Sequence, residues 1–295
     1  MSVIEISHIT KDYGRGKGVF DLCFCVEKGE VFGFLGPNGA GKTTTIRQLM
    51  GFIRPDSGSV SILGMDCFCD AAHIQRRLGY LPGEIAFMDD MTGMEFLRFL
   101  AGMKGLSDLS KAQDLMQYFE LDASGKIRKM SKGMKQKLGI VCAFMSDPDI
   151  LILDEPTSGL DPLMQSRFIE LILQEKQNDK TILLSSHIFE EVERTCDRTA
   201  IIRNGHLVDV ARMEQMQSNR QRICRILFAD AAKAMAFSER HEGAVLKDCQ
   251  VTLPVSGSMQ HFIQDLAQYP MLDMEMRPQT LEELFLHFYG GASND

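Results

Sequence analysis

The sequence predicts an α/β core followed by a smaller α+β domain, and three stretches of the chain carry this prediction. Val31–Leu35 is a short run of apolar residues and glycine that leads into a glycine-rich loop and a helix-forming segment. Residues 150–153 and 181–186 are further short, mainly apolar runs, each followed at once by polar residues. Such runs are typical of strands buried on both faces of a parallel sheet. Together the three stretches predict a parallel central sheet.

The glycine-rich loop matches the whole G-x-x-x-x-G-K-[ST] phosphate-loop pattern over residues 36–43. Glycines let successive backbone N–H groups face a polyphosphate, and the following helix points its positive N-terminal end at it. Lys42 adds a full charge, the hydroxyl of Thr43 suits Mg²⁺, and Thr44 is placed to reach the α-phosphate. The predicted nucleotide-binding residues of this loop are Gly36, Pro37, Asn38, Gly39, Ala40, Gly41, Lys42, Thr43 and Thr44.

The charge balance is acidic, with 32 Lys and Arg residues against 40 Asp and Glu residues and a formal net charge of −8. This balance argues against a protein that coats nucleic acid, and we expect no nucleic-acid partner. No apolar run reaches the ~18 residues that a membrane-spanning helix needs. Residues 1–11 lack the pattern of a secretory signal, so we expect a cytoplasmic chain.

Eight cysteines are scattered along the chain. Cys23 with Cys25, and Cys67 with Cys69, form C-x-C pairs at strand spacing and lack the C-x-x-C arrangement of zinc modules. We interpret the cysteines as reduced thiols, in keeping with a compartment where disulfides do not persist.

Residues 3–35 alternate apolar and polar positions, which predicts an antiparallel β subdomain that leads into the phosphate-loop strand. Tyr13 lies in a loop of this region, where an aromatic ring is able to stack on adenine with about 1 to 3 kcal/mol. Considered alone, Tyr13 is better explained as an aromatic residue that packs on the surface. The nucleotide motifs further along the chain favour a contact with adenine instead. Val19 is a candidate for the second wall of the same pocket.

Between about residues 84 and 146 the pattern changes to helices, which predicts a helical insertion in the α/β core. Thr92 and, three residues later, Glu95 form the capping box of a first helix. Residues 111–119 and 132–145 predict two further helices.

Two carboxylates follow the apolar run 150–153, and a histidine follows the run 181–186. The carboxyl ends of strands are where α/β sheets bind their ligands. Asp154 suits an outer-shell magnesium contact. Glu155 suits a general base that orients and deprotonates water, which contributes roughly 10² to 10⁴ in rate. His187 suits a hydrogen bond to a γ-phosphate. The alternatives are an ordinary loop with two acids and a structural histidine.

Taken in order, these motifs resemble those of the ATP-binding subunit, or nucleotide-binding domain, of an ABC transporter. The resemblance covers residues 1 to about 218 and implies the fold of a P-loop nucleotide hydrolase (NTPase), with ATP and Mg²⁺ as cofactors. The matching segments are the A-loop aromatic Tyr13, the Walker A loop 36–43, the Walker B strand 150–155 with catalytic Glu155, the D-loop 158–161 with Asp161, and the switch histidine His187.

The resemblance also implies a dimer in which two chains enclose two ATP molecules head to tail. The family signature L-S-G-G-Q, which completes the site of the opposite chain, corresponds to residues 130–134. Ser131 and Gly133 are retained, whereas Lys132 and Met134 depart from the pattern.

A larger departure is Gly83, which stands where the family has a glutamine that helps to coordinate magnesium and couples the nucleotide state to the membrane partner. Its absence puts both functions in question at this position. Glu84 is a candidate substitute ligand, and a position facing the partner groove is the alternative that we favour for it.

A polar run over residues 214–222 predicts a linker, so we divide the chain into domains 1–218 and 219–295. Residues 223–228, 251–255 and 271–277 predict strands of a small α+β domain. Two apolar stripes predict helices, the second after a capping box of Thr280 and Glu283. The stripes are Met259, Phe262, Ile263 and Leu266, and then Leu281, Leu284, Phe285 and Phe288. This part is similar to ATPase subunits of ABC-2-type exporters for drugs, antibiotics or lipids, and a dimer-contact or regulatory role is a hypothesis.

The combined interpretation is a homodimeric ATPase, peripheral on the cytoplasmic face of the cell membrane, that drives export through a separate transmembrane permease. The alternatives are a soluble ABC ATPase without a transport role, an ATP-dependent regulatory module and an importer subunit. Glu155 and His187 favour catalysis, whereas Gly83 favours the regulatory alternative. The soluble alternative is disfavoured because the chain has neither a second ATPase cassette nor a long coiled coil.

Overall fold

The structure, a computed structural model, describes residues 1–218, 221–255, 258–281 and 283. The chain divides into two compact units, Met1–Met213 and Glu214–Asp295. Part of the expected linker is instead a helix, Met213–Ser218. Met213, just before the polar run, and Met216 within it are both buried and lie three residues apart. They form an apolar side of this helix, although the composition of the run is mostly polar.

The first unit contains strands and helices in alternation. Its strands are β1 Ser2–Asp12, β2 Gly18–Glu27, β3 Val31–Leu35, β4 Ser57–Ile62, β5 Met65–Asp66, β6 Leu78–Leu81, β7 Ile150–Asp154, β8 Thr181–Ser186, β9 Arg198–Arg203 and β10 His206–Arg212. Its helices are α1 Lys42–Leu49, α2 Ala71–Arg77, α3 Gly93–Lys104, α4 Ser110–Tyr118, α5 Lys132–Phe144, α6 Pro162–Gln177, α7 Phe189–Thr195 and the start of α8 Met213–Ser218, with a 3₁₀ turn at Ile127–Lys129.

The central sheet has the strand order β10-β9-β3-β8-β7-β6. Its strands are parallel apart from β10, which pairs antiparallel with β9. Every residue of β3, β7 and β8 is buried, as the unbroken apolar runs predict. Because β3, β7 and β8 are parallel neighbours, their carboxyl ends meet at one edge of the sheet, and the phosphate loop, Asp154 and His187 follow those ends.

The predicted antiparallel subdomain is confirmed as a second sheet with the order β2-β1-β4-β5. It packs on the central sheet through a shared hydrophobic cluster. Within that cluster, the ring of Phe24 on β2 stacks on Phe32 of β3 with 5.3 Å between ring centroids. The α/β fold class predicted from the sequence is therefore confirmed.

Helices α3, α4 and α5 occupy the predicted helical stretch. The capping box is confirmed, since the Glu95 amide donates to Thr92 Oγ1 at 3.2 Å and the Thr92 amide donates to Glu95 Oε2 at 2.8 Å. These bonds satisfy two backbone N–H groups that the first turn leaves without helical partners.

The second unit contains a four-stranded antiparallel sheet in its described part, with the order β12-β13-β11-β14. With two helices between the strands, this is the βαββαβ arrangement of ferredoxin-like folds. Its elements are β11 Arg222–Phe228, α9 Ala231–Ser238, β12 Val245–Lys247, β13 Gln250–Val255, α10 Met259–Leu266 and β14 Met271–Pro278.

The sequence prediction for this second unit was incomplete. It found β11, β13, α10 and β14, and missed α9 and the short strand β12. In α10 the predicted stripe is partly wrong, because Phe262 and Leu266 are buried whereas Ile263 is 50% exposed. Leu281 is buried, and Thr280 and Glu283 make both hydrogen bonds of a capping box. The predicted terminal helix from Leu284 to Phe288 lies outside the described residues.

No helix within the described ranges is long and apolar enough to cross a membrane. The eight cysteines are all free thiols.

Candidate nucleotide site

The phosphate loop runs from the end of β3 to the start of α1, and its shape depends on glycine at two positions. A Cβ atom on Gly36 would lie 2.4 Å from the carbonyl oxygen of Ile202. Gly41 has a φ of +113°, and a Cβ there would lie 2.6 Å from Val19 Cγ1. A side chain at either position would move the loop off the underlying strands.

A cavity of about 570 Å³ lies against this loop. Nine of the predicted site residues line it: Tyr13, Pro37, Asn38, Gly39, Gly41, Lys42, Thr43, Thr44 and Glu155. Its wall also contains residues that sequence reasoning did not select: Gly16, Lys17, Gly18 and Asn204. Lys17 and Asn204 belong to surface loops with no motif of their own, so only the tertiary structure brings them to the cavity.

Val19 does not form the expected second wall of a base pocket. Its side chain is fully buried in the core beneath Gly41, because β2 points that residue towards the centre of the unit. Tyr13, by contrast, lines the cavity and is 56% exposed. Gly36 and Ala40 of the loop are buried and are not among the residues that line the cavity.

Lys42 is the charged centre of the loop and is only 5% exposed. Its Nζ donates to the carbonyl oxygen of Gly36 at 2.6 Å and to that of Pro37 at 3.3 Å. It also lies 3.0 Å from Glu155 Oε1, in an ion pair whose carboxylate side chain is 18% exposed. A buried ammonium group needs such partners, because an unpaired charge out of water is costly.

Glu155 lies between two groups that were predicted independently. One carboxylate oxygen faces Lys42, and the other, Oε2, lies 2.5 Å from Nδ1 of His187. The two residues come from loops after β7 and β8, which are adjacent parallel strands. The structure therefore brings Lys42, Glu155 and His187 together, and the first two of these line the cavity.

Asp154 is fully buried at the end of β7. Its Oδ2 accepts a hydrogen bond from Thr43 Oγ1 at 2.9 Å, and its Oδ1 accepts one from the hydroxyl of Ser185. Sequence reasoning missed Ser185, although a polar residue near the end of a buried apolar strand is a recognisable signal. Ser185 fixes the carboxylate so that one oxygen remains directed at Thr43.

The turn that carries His187 is anchored from below by Glu191 of α7. Ser186 Oγ donates to Glu191 Oε2 at 2.6 Å, and the same hydroxyl accepts from the amide of Ile188 at 2.9 Å. Burial raises the pKa of Glu191 to about 7, the largest cause being loss of water around the carboxyl group.

Ser131, Gly133 and Asp161 are not among the residues that line the cavity. Ser131 begins α5 and accepts from the Met134 amide at 3.2 Å, and Asp161 begins α6 and accepts from the Met164 amide at 3.0 Å. In a single chain Ser131 and Asp161 therefore act as helix caps.

Gly83 lies directly beside Asp154. A Cβ atom on Gly83 would lie 3.1 Å from Asp154 Oδ2, the oxygen that accepts from Thr43. The following residue, Glu84, is exposed. The position at which the resemblance implies a glutamine therefore lies next to Asp154, and Gly83 brings no side chain to it.

Comparison with known proteins places these motifs in a family. A family model described as ABC transporter matches residues 19–158. The bacitracin transport ATP-binding protein BcrA of Bacillus licheniformis is 36% identical over 81% of this chain and 79% of its own length. The linearmycin resistance ATP-binding protein LnrL of Bacillus subtilis is 37% identical over 70% of this chain and 68% of its own. A Nod factor export ATP-binding protein I of Burkholderia orbicola is 37% identical over 70% and 69%.

Solved structures show the same fold. The chain is similar to an ATP-binding subunit of an ABC transporter, with 33% identity, a TM-score of 0.68, and coverage of 74% of this chain and 92% of the other. It is also similar in fold to an ATP-binding cassette in a dimeric post-hydrolysis state bound to ADP and phosphate. There the identity is 20% and the TM-score 0.65, over 71% of this chain and 98% of the cassette.

Proposed function

The chain belongs to the family of ABC transporter ATP-binding proteins, and from this premise we propose that it powers export through a separate membrane-spanning permease. The proposed working form is a homodimer at the cytoplasmic face of the cell membrane. As a member of this family the chain is an ATPase. One observation carries the catalytic assignment, namely that Glu155 lies between Lys42 and His187 at the phosphate-loop cavity.

The residues beside the loop fit Mg²⁺. Thr43 and Asp154 present hydroxyl and carboxylate oxygens 2.9 Å apart, and Mg²⁺ is usually held by one or two protein oxygens together with phosphate oxygens. When bound, the ion neutralises charge on the transferring phosphoryl group. Ser185 would keep the Asp154 carboxylate in place for this task.

The proposed reaction makes use of the ion pair at the cavity. ATP phosphates compete for the charge of Lys42, which leaves Glu155 Oε1 available to orient a water molecule and accept its proton. With both ring nitrogens protonated, His187 donates through Nδ1 to the other carboxylate oxygen and through Nε2 to a γ-phosphate oxygen. Tyr13, half exposed at the rim, provides a face on which adenine stacks.

The dimer assigns a function to the residues that are absent from the cavity of a single chain. Ser131, Gly133 and Asp161 would complete the site of the partner chain, with the N-terminus of α5 facing the partner's γ-phosphate. The dimeric form of the ADP-bound cassette of similar fold supports this arrangement.

Export as the direction of transport is supported by the relatives. Their names describe bacitracin transport, linearmycin resistance and Nod factor export. For this chain the transported compound is expected to be selected by the permease.

The proposal is tested by isolating the partner. We would tag the Glu155→Gln chain, solubilise native membranes in detergent with Mg-ATP, and identify the proteins that co-purify. Recovery of one membrane-spanning protein, retained with ATP and lost with ADP, is the expected result. Recovery of soluble partners or ribosomes alone would overturn the transport function, while leaving the ATPase assignment open to its own kinetic test.

A further inference from the structure

Gln136 is a buried polar side chain on the second turn of α5 that the mechanism above does not use. It is 5% exposed, and its Nε2 donates to the carbonyl oxygen of Pro156 at 2.7 Å and lies 3.4 Å from that of Glu155. Pro156 directly follows the proposed base. Gln136 therefore binds the main chain directly next to the residue that carries the proposed catalytic carboxylate.

That main chain is in a conformation that needs support. Glu155 has a φ of +49°, in the left-handed region that L-residues with long side chains rarely adopt. Its amide is held from β8, where it donates to the Ser185 carbonyl oxygen at 3.1 Å, and its carbonyl accepts from the Ser158 amide at 3.1 Å. Gln136 is the contribution of α5 to holding this turn.

The first turn of α5 contacts the same loop further along. A Cβ on Gly133 would lie 3.0 Å from the carbonyl oxygen of Gly159, so the two backbones approach closely. The stem of Lys132 covers Gly159, where a Cβ would lie 3.0 Å from Lys132 Cδ. The start of α5 and the loop after Glu155 are thus in contact from Gly159 back to Pro156.

We propose that Gln136 is a positioning residue that couples the signature segment of a chain to the Glu155 carboxylate of the same chain. The inference rests on the proposed sandwich dimer. In that dimer the start of α5 contacts the nucleotide of the partner's site, whereas Glu155 serves the chain's own site. Nucleotide in one site then sets the geometry of the base in the other, and Gln136 transmits the displacement of α5 to the Glu155 peptide.

The first test separates turnover from binding. Gln136→Met preserves the length of the side chain and removes its donor, and Gln136→Glu preserves the shape and replaces the donor with an acceptor. We expect both to lower kcat by about tenfold or more, since displacement of a reacting group by ~1 Å costs up to ~10² in rate. The KM and the Kd for ATP should change by less than about twofold, because the phosphate loop is untouched.

The matched control is Gln75→Met. Gln75 of α2 also donates its Nε2 to a main-chain carbonyl, that of Met50 at 3.3 Å, and it lies outside the cavity wall. It should leave kcat unchanged. A kcat within about twofold of the wild type for both Gln136 variants would overturn the proposal, as would a parallel loss of kcat, ATP affinity and thermal midpoint, which would make Gln136 merely structural.

Mixed dimers test the coupling itself. Two differently tagged chains are purified as a pair in which one chain carries Glu155→Gln, so the other supplies the active base. We expect Gln136→Met to reduce turnover when it is in the chain with the active Glu155 and to have little effect in the inactive chain. Equal effects from both positions would contradict the coupling. If the Glu155→Gln homodimer hydrolyses ATP at the wild-type rate, the base assignment fails, whatever Gln136 does.

Discussion

The two units of this chain bury different kinds of side chain. In the first unit, the buried residues include charged side chains such as Lys42, Asp154 and Glu191, as well as side chains with hydroxyl and amide groups. In the second, the described core is apolar, and Gln279 is the buried polar residue there. Because burying polar groups costs free energy unless every group is paired, their concentration in one unit marks where the structure is built for chemistry.

The sheets differ in a related way. Adjacent parallel strands of the first unit end at one edge, so that residues far apart in sequence meet there. Strands of the second unit are antiparallel, so the ends of neighbouring strands alternate between two edges. A parallel sheet thus gathers functional loops, whereas an antiparallel one distributes them.

The sharpest test of this difference is removal of the proposed base. Glu155→Gln should reduce ATP turnover by roughly 10² to 10⁴, because water loses its proton acceptor, while ATP binding is retained. Steady-state hydrolysis and equilibrium ATP binding measure the two effects. Glu283→Gln, the same change in the second unit, should leave turnover unaltered. Undiminished hydrolysis by the Glu155 variant would refute the assignment.

A core truncation in the second unit should have the opposite profile. Phe237 is fully buried, with ring centroids 5.2 Å from Phe228 and 5.3 Å from Tyr269. Phe237→Ala should destabilise this unit by about 3 to 5 kcal/mol, through lost burial and an unfilled cavity. Hydrogen exchange of β11 and β13 measures the loss. Met235→Ala, at a 54% exposed position of the same helix, is the control. A change in ATP affinity for the Phe237 variant would contradict the claim that nucleotide binding depends on the first unit alone.

The pH dependence of stability should depend on Glu191 in the first unit. Its folded pKa, about 7, lies above the unfolded value of 4.5, so its favourable contribution is complete below pH 4.5 and is lost as the pH rises through 7. Glu191→Gln should therefore gain stability relative to the wild type with increasing pH, by about 3 kcal/mol between pH 4.5 and 8. Denaturant unfolding at several pH values tests this, and a pH-independent difference would contradict it.

The ion pair of Arg277 and Glu283 in the second unit should give the opposite pH dependence of stability and a smaller contribution to the free energy of unfolding. Hydrogen bonds from Arg277, at 2.8 and 2.6 Å, are the main cause that lowers the pKa of Glu283 to about 2. Its contribution is present above pH 4.5 and is lost as the pH falls through 2. Because both side chains are about one third exposed, Glu283→Gln should cost only about 0.5 to 1 kcal/mol at pH 7. Glu275→Gln, which breaks the more exposed pair with Arg225, should cost less. A larger loss in the Glu275 variant would reverse this ranking.

Local patterns in the sequence predicted several features that the structure reproduces. The capping box at Thr92, the buried strands β7 and β8, and the phosphate loop depend on residues close together in the chain, and each is recognisable without a partner. The features that the sequence did not predict have local patterns that are ambiguous or weak. Val19 belongs to the alternating pattern of a strand, which fixes which residues share a face and not which face is turned to the core. The helix α9 has a weak pattern because it is rich in alanine.

By itself, the sequence determined the α/β class, the phosphate loop and the family, because these depend on backbone demands and spacings within short segments. Only the tertiary structure decided that Ser185 fixes Asp154 and that Gln136 reaches Pro156. The physical reason is that a buried hydrogen bond is selected by distance in space. Residues 20 or 31 positions apart carry no local signal that they will meet.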